Sequence, residues 1–219
     1  MTGRARTHIG GAPDFDCLLH PGALQALREM RAAARESGID LAVVSAFRDF
    51  DRQLAIWNAK FRGLRPLLDR NGQELQRESL DESQVIDTIL IWSALPGASR
   101  HHWGSDFDVI DRAQVPAGYD VRLTNREFGP DGVFANLSRW LDAHMREFGF
   151  FRPYRTDRGG VQPEAWHLSF APVALPTLAD LTLEVLRDTL EGAVIDGREQ
   201  ILARLPELYY RYVQGVDDA

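Results

Sequence analysis

Ser99-Arg100-His101-His102-Trp103-Gly104-Ser105-Asp106-Phe107-Asp108 is the stretch on which the reading of this chain turns. Gly104 lets the backbone turn sharply after His101, because glycine adopts angles that other residues resist. From Asp106 to Asp111 polar and apolar residues alternate, which predicts a strand. Asp106 and Asp108 then share one face of it, and Phe107 and Val109 the other. The turn can bring Asp108 back beside His101. A second short stretch, Glu164-Ala165-Trp166-His167, leads into another predicted strand over 166–170 and offers a further histidine.

Two histidine nitrogens and one carboxylate oxygen, from His101, His167 and Asp108, fill three corners of a zinc tetrahedron and leave the fourth open. That is the arrangement of a catalytic site, whereas a structural site is closed. Glu164 stands three residues before His167, near enough to reach a water at the metal without ligating it. Zinc lowers the pKa of such a water to about 7, so a carboxylate can take its proton at neutral pH. It can then pass that proton to a leaving amine. The expected cofactor is one zinc ion.

Outward from this segment, Pro21 to Ser37 predicts a helix with Leu24, Leu27, Met30 and Ala34 on one face and Gly38 as its stop. Residues 41–46 predict a short buried strand. Asp49 predicts the cap of a helix over 50–61, with Leu54 and Trp57 facing inward. Residues 62–77 read as a loop with Asn71-Gly72 as a turn, and a loop this long often borders a site. Ser79-Leu80-Asp81-Glu82 has the capping-box pattern and predicts a helix to about Leu95. Residues 112–131 read as a turn-rich connection. Further helices are predicted over 133–148, 177–191 and 198–213, the last interrupted at Pro206. Helices and strands do not alternate regularly. The expected fold is therefore α+β, a small antiparallel sheet carrying the metal site and flanked by helices. We expect a single domain over 1–219, with 172–219 as its C-terminal helical extension.

The chain has 219 residues, 25 Lys plus Arg, 32 Asp plus Glu and a formal net charge of −7. This balance disfavours a protein that coats nucleic acid or anionic lipid. The single cysteine, Cys17, excludes an internal disulfide framework and a thiolate-only metal site. Arg4 and Arg6 are not followed by an apolar run, so no signal peptide is expected. The most apolar stretch, Val85 to Leu95, falls short of the ~18 residues of a membrane span and carries Asp87. On these grounds a cytoplasmic location is expected, with periplasmic or cell-wall action if an export segment lies outside this chain.

Ser99-x-His101-x-x-Gly104-x-x-x-Asp108 followed by Glu164-x-Trp166-His167 resembles the zinc D-alanyl-D-alanine carboxypeptidases and dipeptidases related to VanY and VanX, peptidase family M15. These share a metal-site fold with lysostaphin-type peptidases and the hedgehog signalling domain. The upstream Ser45-Ala46-Phe47-Arg48-Asp49-Phe50-x-x-Gln53 is similar to the family's Ser-x-x-Arg segment, and the resemblance spans roughly residues 40 to 170. It implies His101, Asp108 and His167 as zinc ligands, Glu164 as catalytic base and Arg48 near the substrate carbonyl or carboxylate. It implies a peptide substrate of the peptidoglycan stem type, ending in D-Ala-D-Ala. One position departs from the family pattern: Asp106 stands where a small residue is usual.

Arg48 also makes sense in its own right, because a planar guanidinium matches a C-terminal carboxylate or a tetrahedral oxyanion. Gln53, Ser99 and Ser105 are expected as further substrate contacts. Plainer roles are expected for His102, beside a ligand but turned elsewhere, and for His144, His8 and His20. Trp166 suits either the pocket wall or the core. L,D-carboxypeptidase, dipeptidase and endopeptidase activities use the same catalytic set and stay open. A non-haem iron oxygenase also uses two histidines and one carboxylate, but its usual His-x-acid spacing differs from the six-residue gap here and it has no need of Glu164. A metal-holding binding module without catalysis is the non-enzyme alternative, against which Glu164 and Arg48 count.

Overall fold

The computed structural model describes residues 1–219. Its centre is a four-stranded sheet in the order β3–β6–β8–β7, built from β3 (Leu41–Ser45), β6 (Asp106–Asp111), β8 (His167–Phe170) and β7 (Phe150–Phe151). Every pairing in it is antiparallel. Asp108 lies opposite Ser45 on one neighbour and His167 on the other. The first pairing passes an irregularity between Val43 and Ser45. Two short hairpins lie outside this sheet: β1 (Gly10–Ala12) with β2 (Cys17–Leu19), and β4 (Leu67–Leu68) with β5 (Glu74–Leu75).

The period-two pattern of β6 sorts its side chains. Phe107 and Val109 enter a core with Leu41, Leu168 and the apolar faces of α1 (Pro21–Glu36) and α5 (Ala135–His144). Leu24, Leu27, Met30 and Ala34 form the buried stripe of α1, as their spacing requires. A second core joins α2 (Phe50–Phe61) and α3 (Glu82–Ile91) to α6 (Ala171–Asp180), α7 (Leu183–Glu191) and α8 (Arg198–Leu208). The 172–219 segment thus shares its core with α2 and α3. Trp57 of α2 is fully buried and donates to the Asp196 carbonyl at 3.1 Å. Asp217, near the end of the chain, accepts from the backbone N–H groups of Arg155 and Thr156 at 2.8 Å each. No helix is long and apolar enough to cross a membrane.

Several elements differ from their sequence reading. The box that opens α3 is Asp81 with Gln84, two residues beyond Ser79-x-x-Glu82. Residues Arg77–Ser79 are spent in a 3₁₀ turn, and Leu80 is extended. The same helix stops at Ile91, before Pro96. The Ile91 carbonyl accepts from Gln162 N–H and the Ala94 carbonyl from Gln53, so tertiary partners replace helical ones. The helix expected over 177–191 is two, α6 and α7, the second capped by Thr182. Pro206 does not interrupt α8, which runs on to Leu208 and widens into a π-turn at Tyr209–Val213. The predicted loop 62–77 contains the β4–β5 hairpin. Residues Asn125–Phe128 form a short helix, α4, inside the turn-rich connection.

Candidate metal centre

The 3₁₀ turn Arg100–Trp103 carries His101 and ends at Gly104, whose φ is +66°. A Cβ there would run into the Ile9 side chain and lie 2.8 Å from the His20 backbone nitrogen. Glycine is therefore required twice over, by conformation and by space. The turn sets the His101 Nε2 atom 3.6 Å from Asp108 Oδ2. On the adjacent strand His167 Nδ1 lies 3.2 Å from Asp108 Oδ1. One donor atom from each of the three residues falls within 4.8 Å of the others.

These residues fit a zinc ion. Bonds of ~2.1 Å at tetrahedral angles place ligand atoms about 3.4 Å apart, close to the spacings seen. Asp108 Oδ1 is buried and has no hydrogen-bond partner, which is costly unless a cation completes it. Each histidine is held by its other nitrogen: His101 Nδ1 lies 2.9 Å from the Ala46 carbonyl, and His167 Nε2 lies 3.1 Å from Asp106 Oδ1. Such partners fix the ring and the tautomer that faces a metal.

Asp106 is thus given a place. It is fully buried, accepts from Arg100 Nε at 2.7 Å and from Ser105 Oγ at 2.6 Å, and orients His167. Arg100 in turn donates to Ser169 Oγ at 2.6 Å and lies over the Trp103 ring at 4.7 Å. Burial alone would raise the Asp106 carboxyl, but Arg100, His167 and Ser105 hold it below its ordinary range. Asp108 is likewise lowered, with burial outweighed by His101, His167 and Arg48. Burial pushes His101 down to about 3, so it is neutral and ready to ligate. For His167 burial acts downward, but the hydrogen bond to Asp106 and the nearby charges of both aspartates prevail and raise it to about 10. A cation bound between these groups would displace that proton.

Glu164 lies beside the ligands, with Oε2 3.6 Å from His167 Nδ1. Burial, aided by Asp108 and only partly offset by His167, Arg48 and Lys60, raises its carboxyl to about 7. All of these groups line one cavity of about 690 Å³. Arg48 reaches it from the turn before α2, with NH1 donating to Gln53 Oε1 at 2.7 Å and NH2 to Ser45 Oγ at 3.4 Å. Its backbone N–H donates to the His101 carbonyl at 3.1 Å, tying it to the ligand turn.

Ser99 and Trp166 line the cavity as well. Two expected substrate contacts do not. Gln53 is fully buried behind Arg48, with Nε2 donating to the Ala94 carbonyl at 2.7 Å. Ser105 is fully buried and spent on Asp106. Both support groups of the site from behind. His102 is buried, receives the Gly97 N–H on Nε2 at 3.1 Å and meets the Arg48 carbonyl at 2.6 Å, so it braces the turn. His144 pairs with Glu147 on the surface.

The sequence reading missed two wall residues. Tyr154 is set against the His167 ring, 5.3 Å between centroids, and burial holds its hydroxyl well above the usual range. Lys60, near the C-terminal end of α2, faces the cavity, and burial lowers its ammonium to about 8. Neither belongs to a local motif. Lys60 is the chain's only lysine, and that compositional oddity is the one signal the sequence offers for it.

The family model for VanY, D-alanyl-D-alanine carboxypeptidase, matches residues 16–173, which include every residue of the site named above. An uncharacterised protein of Haemophilus influenzae is 39% identical over 98 residues, 43% of this chain and 67% of that one. A D-alanyl-D-alanine carboxypeptidase of Enterococcus faecalis is 25% identical over 157 residues, 69% of this chain but 47% of its own length. Two solved structures share the fold. One is the vancomycin-resistance D,D-pentapeptidase VanY in complex with Zn(II), with TM-score 0.55 and 21% identity over 84% of this chain and 93% of that one. The other is VanYB in complex with D-alanine-D-alanine, with TM-score 0.54 and 20% identity over 84% and 88%.

Proposed function

The chain belongs to the VanY family of D-alanyl-D-alanine carboxypeptidases, and from that premise we propose that it is a zinc enzyme that removes the C-terminal residue from peptidoglycan-type peptides ending in D-Ala-D-Ala. The observation that carries this reading is the grouping of His101, Asp108 and His167 donor atoms within 4.8 Å, with Glu164 beside them and Arg48 on the same cavity wall. The zinc and D-alanine-D-alanine complexes of the two VanY structures support the choice of metal and substrate.

A zinc ion on these three residues supplies Lewis acidity toward the scissile carbonyl and acidifies a neighbouring water. The chain's own groups do the rest. Glu164, buried beside the ligand set, takes a proton on a carboxylate oxygen and returns it to the departing amine. Arg48 meets the substrate carboxylate with a guanidinium already oriented by Gln53 and Ser45, so little of its freedom remains to be lost on binding. Asp106 keeps the ring of His167 in place through Nε2.

The test is product analysis by mass, with zinc added and with zinc stripped. The substrates are D-Ala-D-Ala, a tetrapeptide and a pentapeptide ending in D-Ala-D-Ala. Loss of one D-alanine from the pentapeptide, dependent on zinc and abolished in Glu164→Ala with the metal retained, is expected. Cleavage of the dipeptide alone, or of the tetrapeptide alone, would reassign the chain to a D,D-dipeptidase or an L,D-carboxypeptidase. Unchanged turnover in Glu164→Ala would overturn the mechanism.

A further inference from the structure

Lys60 stands out on three counts. It is the one lysine among 25 cationic residues. It lines the site cavity. Its ammonium has neither a hydrogen bond nor a carboxylate within ion-pair distance, although Glu164 is close enough to act on it through space. Most surface lysines are solvated and interchangeable with arginine, but this one is half-buried and faces the reacting groups. A partly desolvated ammonium is poorly stabilised until an anion meets it.

The surrounding charge points the same way. Three other arginines of the wall have internal partners: Arg70 with Asp157, Arg100 with Asp106 and Arg122 with Asp120. Arg48, Lys60 and Arg126 line the cavity with no carboxylate paired to them. Against them stand only Asp108 and Glu164. A cation at the ligand set would add two further positive charges. In a chain whose net charge is −7, this is a local reversal of sign, and a single terminal carboxylate does not balance it. Arg48 precedes α2 and Lys60 lies in its last turn, about 15 Å along the axis from the first residue of the helix. Both side chains line the one cavity. That layout suits two anionic groups on one extended peptide better than two oxygens of one carboxylate.

We propose that Lys60 reads a second carboxylate of the substrate, so that the peptide taken by this site carries an acidic group N-terminal to the scissile bond in addition to its C-terminal carboxylate. The assignment rests on the peptidase reading above and names the class of peptide within it. A compact, mobile ammonium suits a carboxylate on a flexible side chain, whereas a rigid guanidinium fork would demand one approach.

Pairs of peptides test this, identical except that one residue before the scissile bond is glutamate in one member and glutamine in the other, with each such position tried in turn. At one position the wild-type chain should favour the acidic member at least tenfold in kcat/KM. Lys60→Gln should bring that ratio near one, Lys60→Glu should invert it, and Lys60→Arg should preserve part of it. Because each ratio is internal to one variant, partial misfolding does not mimic the effect. An independent readout uses the lone lysine. Amine-selective acylation at pH 8, followed by mass analysis, should show Lys60 protected by the acidic peptide and not by its neutral partner, with the N-terminal amine as reference. Equal loss on both members in Lys60→Gln would mean that Lys60 merely shares the C-terminal carboxylate, and would overturn the assignment. Hydrolysis without any acidic preference would overturn it and leave the peptidase reading standing. No hydrolysis and no protection by any peptide would overturn both.

Discussion

Asp106 grips the far side of His167: its Oδ1 lies 3.1 Å from Nε2, and both side chains are almost wholly buried. The same oxygen accepts from Arg100 Nε at 2.7 Å, so one carboxylate joins His167 to a buried guanidinium. Two losses follow on removing it. The ring of His167 loses the partner that sets its tautomer, which typically weakens metal binding by about 10–100-fold. Arg100 is left as an uncompensated buried charge, a change that typically costs ~3–5 kcal/mol. Asp106→Ala should therefore lower both zinc affinity, read by chelator competition, and thermal stability. Adding Arg100→Met should restore much of the stability and none of the affinity. If the double variant regained zinc affinity, the orienting role of Asp106 would be wrong.

Glu164 makes a prediction with opposite signs for catalysis and stability. As the base it must be ionised, so kcat/KM should fall on the acid side as Glu164 takes up a proton, approaching a tenfold drop per pH unit. For stability, its folded pKa lies above its unfolded one of 4.5. The folded chain then holds a proton that the unfolded chain releases. That contribution is fully present below about 4.5 and is lost as pH rises through about 7. In metal-free protein Glu164→Gln removes the burial cost of the ionised form. It should raise the Tm by a few degrees at pH 8 and leave it nearly unchanged at pH 4.5, as scanning calorimetry would show. A larger gain at the lower pH would contradict the burial of this carboxyl.

The grouping of His101 with Asp108 was legible because its signals are local. Gly104 announces the turn, and period-two alternation puts Asp106 and Asp108 on the face opposite Phe107 and Val109. What joins Asp108 to His167 is strand register across 59 positions of chain, and no local pattern encodes it. Gln53 shows a different limit. Helical spacing places it on the inward side of α2, but whether inward means substrate or backbone depends on where α3 ends, a tertiary matter. Lys60 and Tyr154 reach the cavity from distant elements and escape motif reading altogether. The β1–β2 hairpin was missed because three-residue strands are too short to show a period. Pro206 was over-read, since a helix end that widens into a π-turn tolerates it.

Gly104→Ala should be among the most damaging single-methyl changes in the chain. The positive φ costs an L-residue ~1–2 kcal/mol, and the added Cβ meets Ile9 and the His20 backbone. His20 N–H donates to the Gly104 carbonyl at 2.9 Å, so relief by moving the turn would break that bond as well. Because the turn carries His101, zinc affinity should fall together with Tm. Ile9→Ala in the same chain would remove only the side-chain clash and should recover part of the stability. A Gly104→Ala chain with unaltered Tm and zinc affinity would rule out this packing.

Gln53 should act on binding through Arg48. Its Oε1 accepts from Arg48 NH1 at 2.7 Å, while its Nε2 is anchored on the Ala94 carbonyl at 2.7 Å and Ser93 Oγ at 3.3 Å. Gln53→Leu keeps the volume and removes the clamp, leaving polar partners unsatisfied at ~1–3 kcal/mol. The freed guanidinium must then be ordered by the substrate, so KM should rise severalfold with kcat changed less. A C-terminal amide separates this effect from general damage, because it offers Arg48 no carboxylate. The wild-type preference for the free acid over the amide should shrink in Gln53→Leu. An equal loss on acid and amide would show that Gln53 only packs the helix and does not steer Arg48.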